Sequence, residues 1–291
     1  MVNNKMEREA VMTDNTAGRE VTIPRTKQRI MYSRTGNREY RIFVSAPDTE
    51  PPSSGYPVIY LLDANAVFAT MVEAIRVQAC RHEKTGVIPA VVVGIGYETE
   101  APFPPDRHYD FTMTATARDM PSRPDGTAWP EQGGAGAFLK FIEEDLKPEI
   151  EREFNIDTGR QTILGHSLGG LFVLHALFTR PDAFQTYVAG SPSIHWNKPY
   201  FLEEEQQFAS RLGQKPAQVR VLLAVGELEK NHQSRITENT KELSERLSTL
   251  TSHGVSVEFK EFEDEGHVSV LPALISKTLR FALNPNTNRD K

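Results

Sequence analysis

Gln161-Thr162-Ile163-Leu164-Gly165-His166-Ser167-Leu168-Gly169-Gly170-Leu171-Phe172-Val173-Leu174 decides the fold of this chain. Gln161 to Leu164 reads as a short strand and Leu168 to Phe178 as an apolar helix, so a strand-to-helix turn carries Ser167 at its centre. The pattern Gly-x-Ser-x-Gly in that context has a physical logic. A sharp, strained turn lifts the serine hydroxyl above the sheet. Strand and helix approach too closely for side chains at Gly165 and Gly169, and Gly170 extends the clearance. The hydroxyl then stands at the positive end of the helix that begins near Leu168, where a developing negative charge is stabilised. Ser167 is the candidate nucleophile. A chance pentapeptide in a tight turn explains less, because both flanking elements are present.

The same alternation extends in both directions. Tyr40 to Val44 alternates like an edge strand and stops before Pro47. Tyr56 to Leu62 and Ile88 to Ile95 are near-continuous β-prone runs, the mark of strands buried on both faces. Thr186 to Ala189, Val219 to Val225 and Val255 to Phe262 read as further strands. Helical stretches fall at Val67 to His82, Ile236 to Leu250 and Val270 to Leu283. Another spans Gly136 to Phe154, whose Phe138, Phe141, Ile142, Leu146, Ile150 and Phe154 share one face. Apolar strands alternating with helices predict an α/β fold, a mostly parallel sheet covered by helices on both faces. The alternation has no linker, so residues 21–291 are expected to form one domain behind a flexible polar tail, residues 1–20. Two segments, near 102–132 and 194–214, break the pattern and read as inserted loops. Each follows a strand, and ligands bind at the strand C-termini of such sheets.

Composition narrows the classes. Among 291 residues, 38% are apolar and 9% aromatic, enough for a substantial core and against wholesale disorder. A net charge of −6 without any Lys/Arg run argues against nucleic acid as a partner. The single cysteine, Cys80, excludes an intrachain disulfide and a multi-cysteine metal site. No stretch approaches the roughly 18 apolar residues of a membrane span. With no export signal at the N-terminus, a cytoplasmic location is the expectation.

A serine nucleophile needs a base, and in α/β-hydrolases the chain order is Ser, then Asp/Glu, then His. His267, in Asp264-Glu265-Gly266-His267 after the last strand, has that position. The other histidines lack it: His175 reads as a packed mid-helix group, His195 and His232 as possible cleft linings, and His166 as pointing away from the chemistry. The acid should follow Val219 to Val225. There, Gly226-Glu227-Leu228-Glu229 offers two carboxylates, and a spacing of three from the glycine selects Glu229 over Glu227. For the oxyanion, the Leu168 amide is one donor. The second should come from Leu62-Asp63-Ala64-Asn65, with the Asn65 amide favoured and Ala64 next; the alternative is an ordinary turn capped by Asp63 or Asn65. No metal or organic cofactor is expected.

Assembled, these segments resemble the esterase-D-like branch of the α/β-hydrolase fold. Within it the chain is similar to bacterial ferric-siderophore esterases that cleave enterobactin and bacillibactin. Tyr60 to Asn65, Arg107-His108-Tyr109-Asp110-Phe111-Thr112 and Gly133 to Leu139 carry the likeness. So do Gly165 to Gly170, Ser191-Pro192-Ser193-Ile194-His195-Trp196, Gly226 to Glu229 and Gly266-His267. The resemblance implies a small-molecule ester substrate, the trilactone of a ferric triscatecholate. Such a ligand carries about three negative charges on flat aromatic rings, so its pocket should offer a cation and aromatic surface. Arg107 and Trp196 are the candidates. Arg107 could equally pair with Asp110, and Trp196 could cover the core. Rival functions are a general carboxylesterase or thioesterase such as an S-formylglutathione hydrolase, a non-catalytic ligand-binding relative, and an acyltransferase.

Overall fold

The computed structural model describes residues 21–35, 37–114, 127–230 and 233–284. The polar tail 1–20, the centre of the 102–132 loop and His232 lie outside them. Eight strands form one sheet: β1 (Thr26–Tyr32), β2 (Glu39–Ser45), β3 (Tyr56–Leu61), β4 (Val91–Gly96), β5 (Ile156–His166), β6 (Thr186–Gly190), β7 (Val219–Gly226) and β8 (Val255–Phe262). Their order is β1-β2-β4-β3-β5-β6-β7-β8. β1 pairs antiparallel with β2, and β2 with β4; every other pairing is parallel.

The interior strands are the continuous apolar runs. β3 and β4 are buried at every residue, which parallel strands sandwiched between helices require. One face is covered by α1 (Ala64–Ala79) and α9 (Val270–Leu283). The other carries α6 (Leu168–Thr179), α7 (Lys198–Leu212) and α8 (Ile236–Ser248). A short helix, α3 (Arg107–Phe111), packs against α6. Between them in sequence lie α4 (Ala135–Phe141) and α5 (Lys147–Glu153), joined by one π-turn at Ile142–Leu146, and a single helical turn, α2 (His82–Thr85), follows α1.

Two expectations are corrected. Tyr40 to Val44 is no edge strand, because Thr26 to Tyr32 lies outside it in register Thr26↔Ser45 to Tyr32↔Glu39. The 194–214 stretch is no inserted loop: a 3-10 turn at Ile194–Asn197 runs into α7, whose Asn197 side chain caps Tyr200 N–H and whose Phe201, Phe208 and Leu212 enter the core.

Candidate active site

β5 ends at His166 and α6 begins at Leu168, so one residue makes the turn between them. Ser167 takes φ 58° and ψ −117°, a conformation that is costly for a side-chain-bearing residue and persists only when its surroundings enforce it. Here the enforcement is visible. Ser167 N–H donates to Gly190 O (2.9 Å), and its carbonyl accepts from Leu171 N–H (3.0 Å) and Ser193 N–H (3.1 Å). A Cβ on Gly165 would sit 2.2 Å from the Gly169 carbonyl oxygen, so this glycine is sterically required. Gly169 is less confined: its nearest neighbour would be Asp63 Oδ2 at 3.3 Å.

His267 lies on the loop joining β8 to α9. Its Nε2 is 3.1 Å from Ser167 Oγ, and its Nδ1 is 2.7 Å from Glu229 Oε2. Glu229 sits in the 3-10 turn that follows β7 and is buried. Its other oxygen accepts from Ser191 Oγ–H (2.6 Å) and from Gly226 N–H (2.8 Å). Burial alone would raise this carboxyl's pKa; the donors His267, Ser191 and Gly226 outweigh it and hold the group below its ordinary value. Glu227 instead accepts from the Asp264 amide (3.2 Å) and pairs with Lys230, bracing the loop that carries His267.

The chemistry therefore gathers on three loops at the C-terminal ends of β5, β7 and β8. Two residues belong here that the pattern of charges did not single out. Ser193 Oγ lies 3.2 Å from Ser167 Oγ, and Ser191, at φ 40°, anchors the acid. Their signal was the Ser191-Pro192-Ser193 segment directly after an apolar strand.

The turn after β3 faces this group. Asp63 adopts the left-handed conformation (φ 53°, ψ 40°) at the start of α1. Ala64 and Asn65 open that helix, as Leu168 opens α6, and first-turn amides have no intrahelical acceptor. The Asn65 side chain is committed elsewhere. It donates to Tyr97 O (2.9 Å) and Thr99 O (2.6 Å) and accepts from Tyr97 N–H (2.8 Å), tying the turn to the end of β4. Only the backbone of Ala64 and Asn65 is left for an oxyanion.

Arg107 is corrected. Its guanidinium is buried and forked onto the carboxylate of Asp63, Nε to Oδ1 at 2.7 Å and Nη2 to Oδ2 at 2.8 Å. It is no open arm for an anionic ligand, and its partner is not Asp110. That carboxylate accepts from Tyr40 (3.1 Å) and Tyr97 (2.9 Å). Trp196 is also almost fully covered, at 4% exposure. Its indole donates to Gln132 Oε1 (3.1 Å) and packs edge-on against Trp129, with ring centroids 4.3 Å apart. The half-buried Trp129, with the His108 ring tilted against it at 6.0 Å, offers the more accessible aromatic surface.

His166 does not point away from the chemistry. It projects to the α1/α9 side of the sheet, the side on which the His267 loop enters α9, and the two rings lie 4.7 Å apart. Burial first and the neighbouring His267 second push its pKa down to about 3, so it stays neutral. His175 is the packed group expected, buried with Nδ1 2.8 Å from Glu204 Oε1 across α6 and α7. Among the described residues, no three His, Cys, Asp or Glu side chains gather as metal ligands, and no helix is long and apolar enough to cross a membrane.

A mostly parallel sheet with a serine elbow, a histidine after the last strand and an acid after the strand before it defines a serine hydrolase of the α/β-hydrolase fold. Residues 33–273 match the family described as "Putative esterase", and the chain belongs to that family. It is 60% identical over 277 residues to the ferri-bacillibactin esterase BesA of Bacillus subtilis strain 168, covering 94% of this chain and 96% of that protein. It is 36% identical to the siderophore enterobactin esterase of Emericella nidulans, over 84% of this chain and 89% of the relative. The crystal structure of the BES protein from Bacillus cereus superposes with a TM-score of 0.85 at 46% identity, covering 91% and 98% of the two chains.

Proposed function

We propose that this chain opens the trilactone of a ferric catecholate siderophore by ester hydrolysis, so releasing its iron, with Ser167, His267 and Glu229 as catalytic residues. The observation that carries the ester chemistry is the unbroken relay from Ser167 Oγ through His267 to Glu229, at 3.1 and 2.7 Å. The substrate class is supported by 60% identity, end to end, to a ferri-bacillibactin esterase.

The steps follow from the geometry. His267 Nε2 takes the Ser167 proton as Oγ adds to the ester carbonyl carbon. The buried carboxylate of Glu229 fixes the imidazole through Nδ1 and balances the imidazolium charge. The amide of Leu168 and that of Asn65, with Ala64 next to it, hold the oxyanion. His267 returns its proton to the departing alcohol, then deprotonates the water that resolves the acyl-enzyme. Trp129, half-buried and backed edge-on by the covered Trp196, supplies aromatic surface for a ring of the substrate. Iron arrives with the substrate.

A panel of p-nitrophenyl acetate, S-formylglutathione, and ferric and iron-free catecholate trilactones tests this reading, with Ser167→Ala as control. Trilactone opening that disappears in Ser167→Ala is expected. Turnover of the short esters without any of the trilactones would place the chain among general carboxylesterases or thioesterases instead.

A further inference from the structure

Asp63 places a carboxylate where an oxyanion enzyme should least want one. The Asp63 carboxylate faces the first turn of α6, where a Cβ on Gly169, one residue beyond the Leu168 amide, would come 3.3 Å from its Oδ2, and the residue is only 3% exposed. A bare negative charge there would oppose the negative charge that develops on the substrate carbonyl, with little water to screen it. Arg107 meets it with a two-bond fork, itself 8% exposed. Burial works against the guanidinium's charge, and Asp63 more than offsets that, so Arg107 stays charged. The charge of Arg107 is also felt at the elbow, where it adds to burial and His267 in holding His166 neutral.

We infer that Arg107 acts through Asp63, as the counter-charge of the oxyanion turn: its fork cancels the Asp63 charge beside the oxyanion. This rests on the ester hydrolysis at Ser167 proposed above, but not on any particular ester. It also separates the two partners of one ion pair, which a purely structural bridge would not do. Losing Arg107 leaves an uncancelled carboxylate next to the oxyanion. Asp63→Asn leaves a cation instead, keeps the shape, and tolerates positive φ.

The test compares Arg107→Met, Asp63→Asn, Asp63→Asn/Arg107→Met and Arg107→Lys on neutral p-nitrophenyl acetate and on a ferric trilactone, with thermal melting of each variant. Arg107→Met should lower kcat on both substrates by about 10²-fold, the scale of losing one oxyanion interaction, with KM within about threefold. Asp63→Asn should keep kcat within about threefold, and the double variant should recover at least about tenfold over Arg107→Met. Should Arg107→Met show no folding transition, Arg107→Lys and Asp63→Asn carry the comparison: Arg107→Lys, which keeps the charge, is expected within about tenfold of wild type and Asp63→Asn within about threefold, and a larger loss from either would overturn the inference. Equal losses from the two sides of the pair would overturn the inference. So would an Arg107→Met effect confined to KM for the anionic trilactone, which would make Arg107 a substrate contact. Wild-type protein inert towards every ester would overturn the ester-hydrolase reading and this inference with it.

Discussion

At the residue scale the account turns on which groups touch which. Glu229 and Glu227 are two positions apart, yet only Glu229 is buried and bonded to His267; Glu227 braces a loop. Glu229→Gln should therefore lower kcat by about 10³- to 10⁴-fold, because the amide cannot balance the imidazolium and disturbs the His267 tautomer. Glu227→Gln should stay within a few-fold. Steady-state kinetics on p-nitrophenyl acetate separate them, and a larger loss from Glu227→Gln would move the acid there. Ser167, His267 and Glu229 were legible because the elbow, the chain order and the glycine spacing are local patterns. Arg107 was not. Asp110, three residues along, looked like its natural partner, whereas Asp63 lies 44 residues away and meets it only through the fold. His166 was misjudged because what surrounds a residue at the end of a strand depends on the loop that arrives from β8.

At the element scale, α3 is fastened to the sheet by Asp110, whose carboxylate bridges Tyr40 on β2 and Tyr97 just beyond β4. Burial raises its pKa to about 6, with the hydrogen bonds from Tyr97 and Tyr40 and the charge of Arg38 only partly opposing. The unfolded chain releases this proton near pH 3.9, before the folded chain does. Stability from Asp110 is thus full below about pH 4, falls as pH rises towards 6, and is level above. A shift of this size is worth up to about 3 kcal/mol. The melting temperature of wild type minus that of Asp110→Asn should fall from pH 4 to pH 6; a difference that stays constant or rises would contradict it. Periodicity revealed the interior strands, whose apolar runs admit one interpretation. It missed β1, where Thr26-Lys27-Gln28-Arg29 is polar because an edge strand is half solvated, and it misjudged α7, whose Glu203-Glu204-Glu205-Gln206-Gln207 run hides a buried face behind charge.

At the scale of the whole molecule, a sheet of eight strands serves to bring residues from 63 to 267 to one rim. The order β3-β5-β6-β7-β8 places the Asp63–Asn65 turn, Ser167, Ser191 and Ser193, Glu229 and His267 side by side, each on the loop leaving its strand's C-terminal end. That arrangement followed from the alternating pattern, whereas the tryptophan pair did not, since Trp129 and Trp196 are 67 positions apart and meet only in the fold. The central claim is that siderophore opening runs through Ser167 alone. Titration with a fluorophosphonate, locating the label by peptide mass while following ring opening of the ferric trilactone, tests it directly. Activity should fall in proportion to label on Ser167 and reach zero at one equivalent per chain. Ring opening that survives complete labelling of Ser167 would contradict the account.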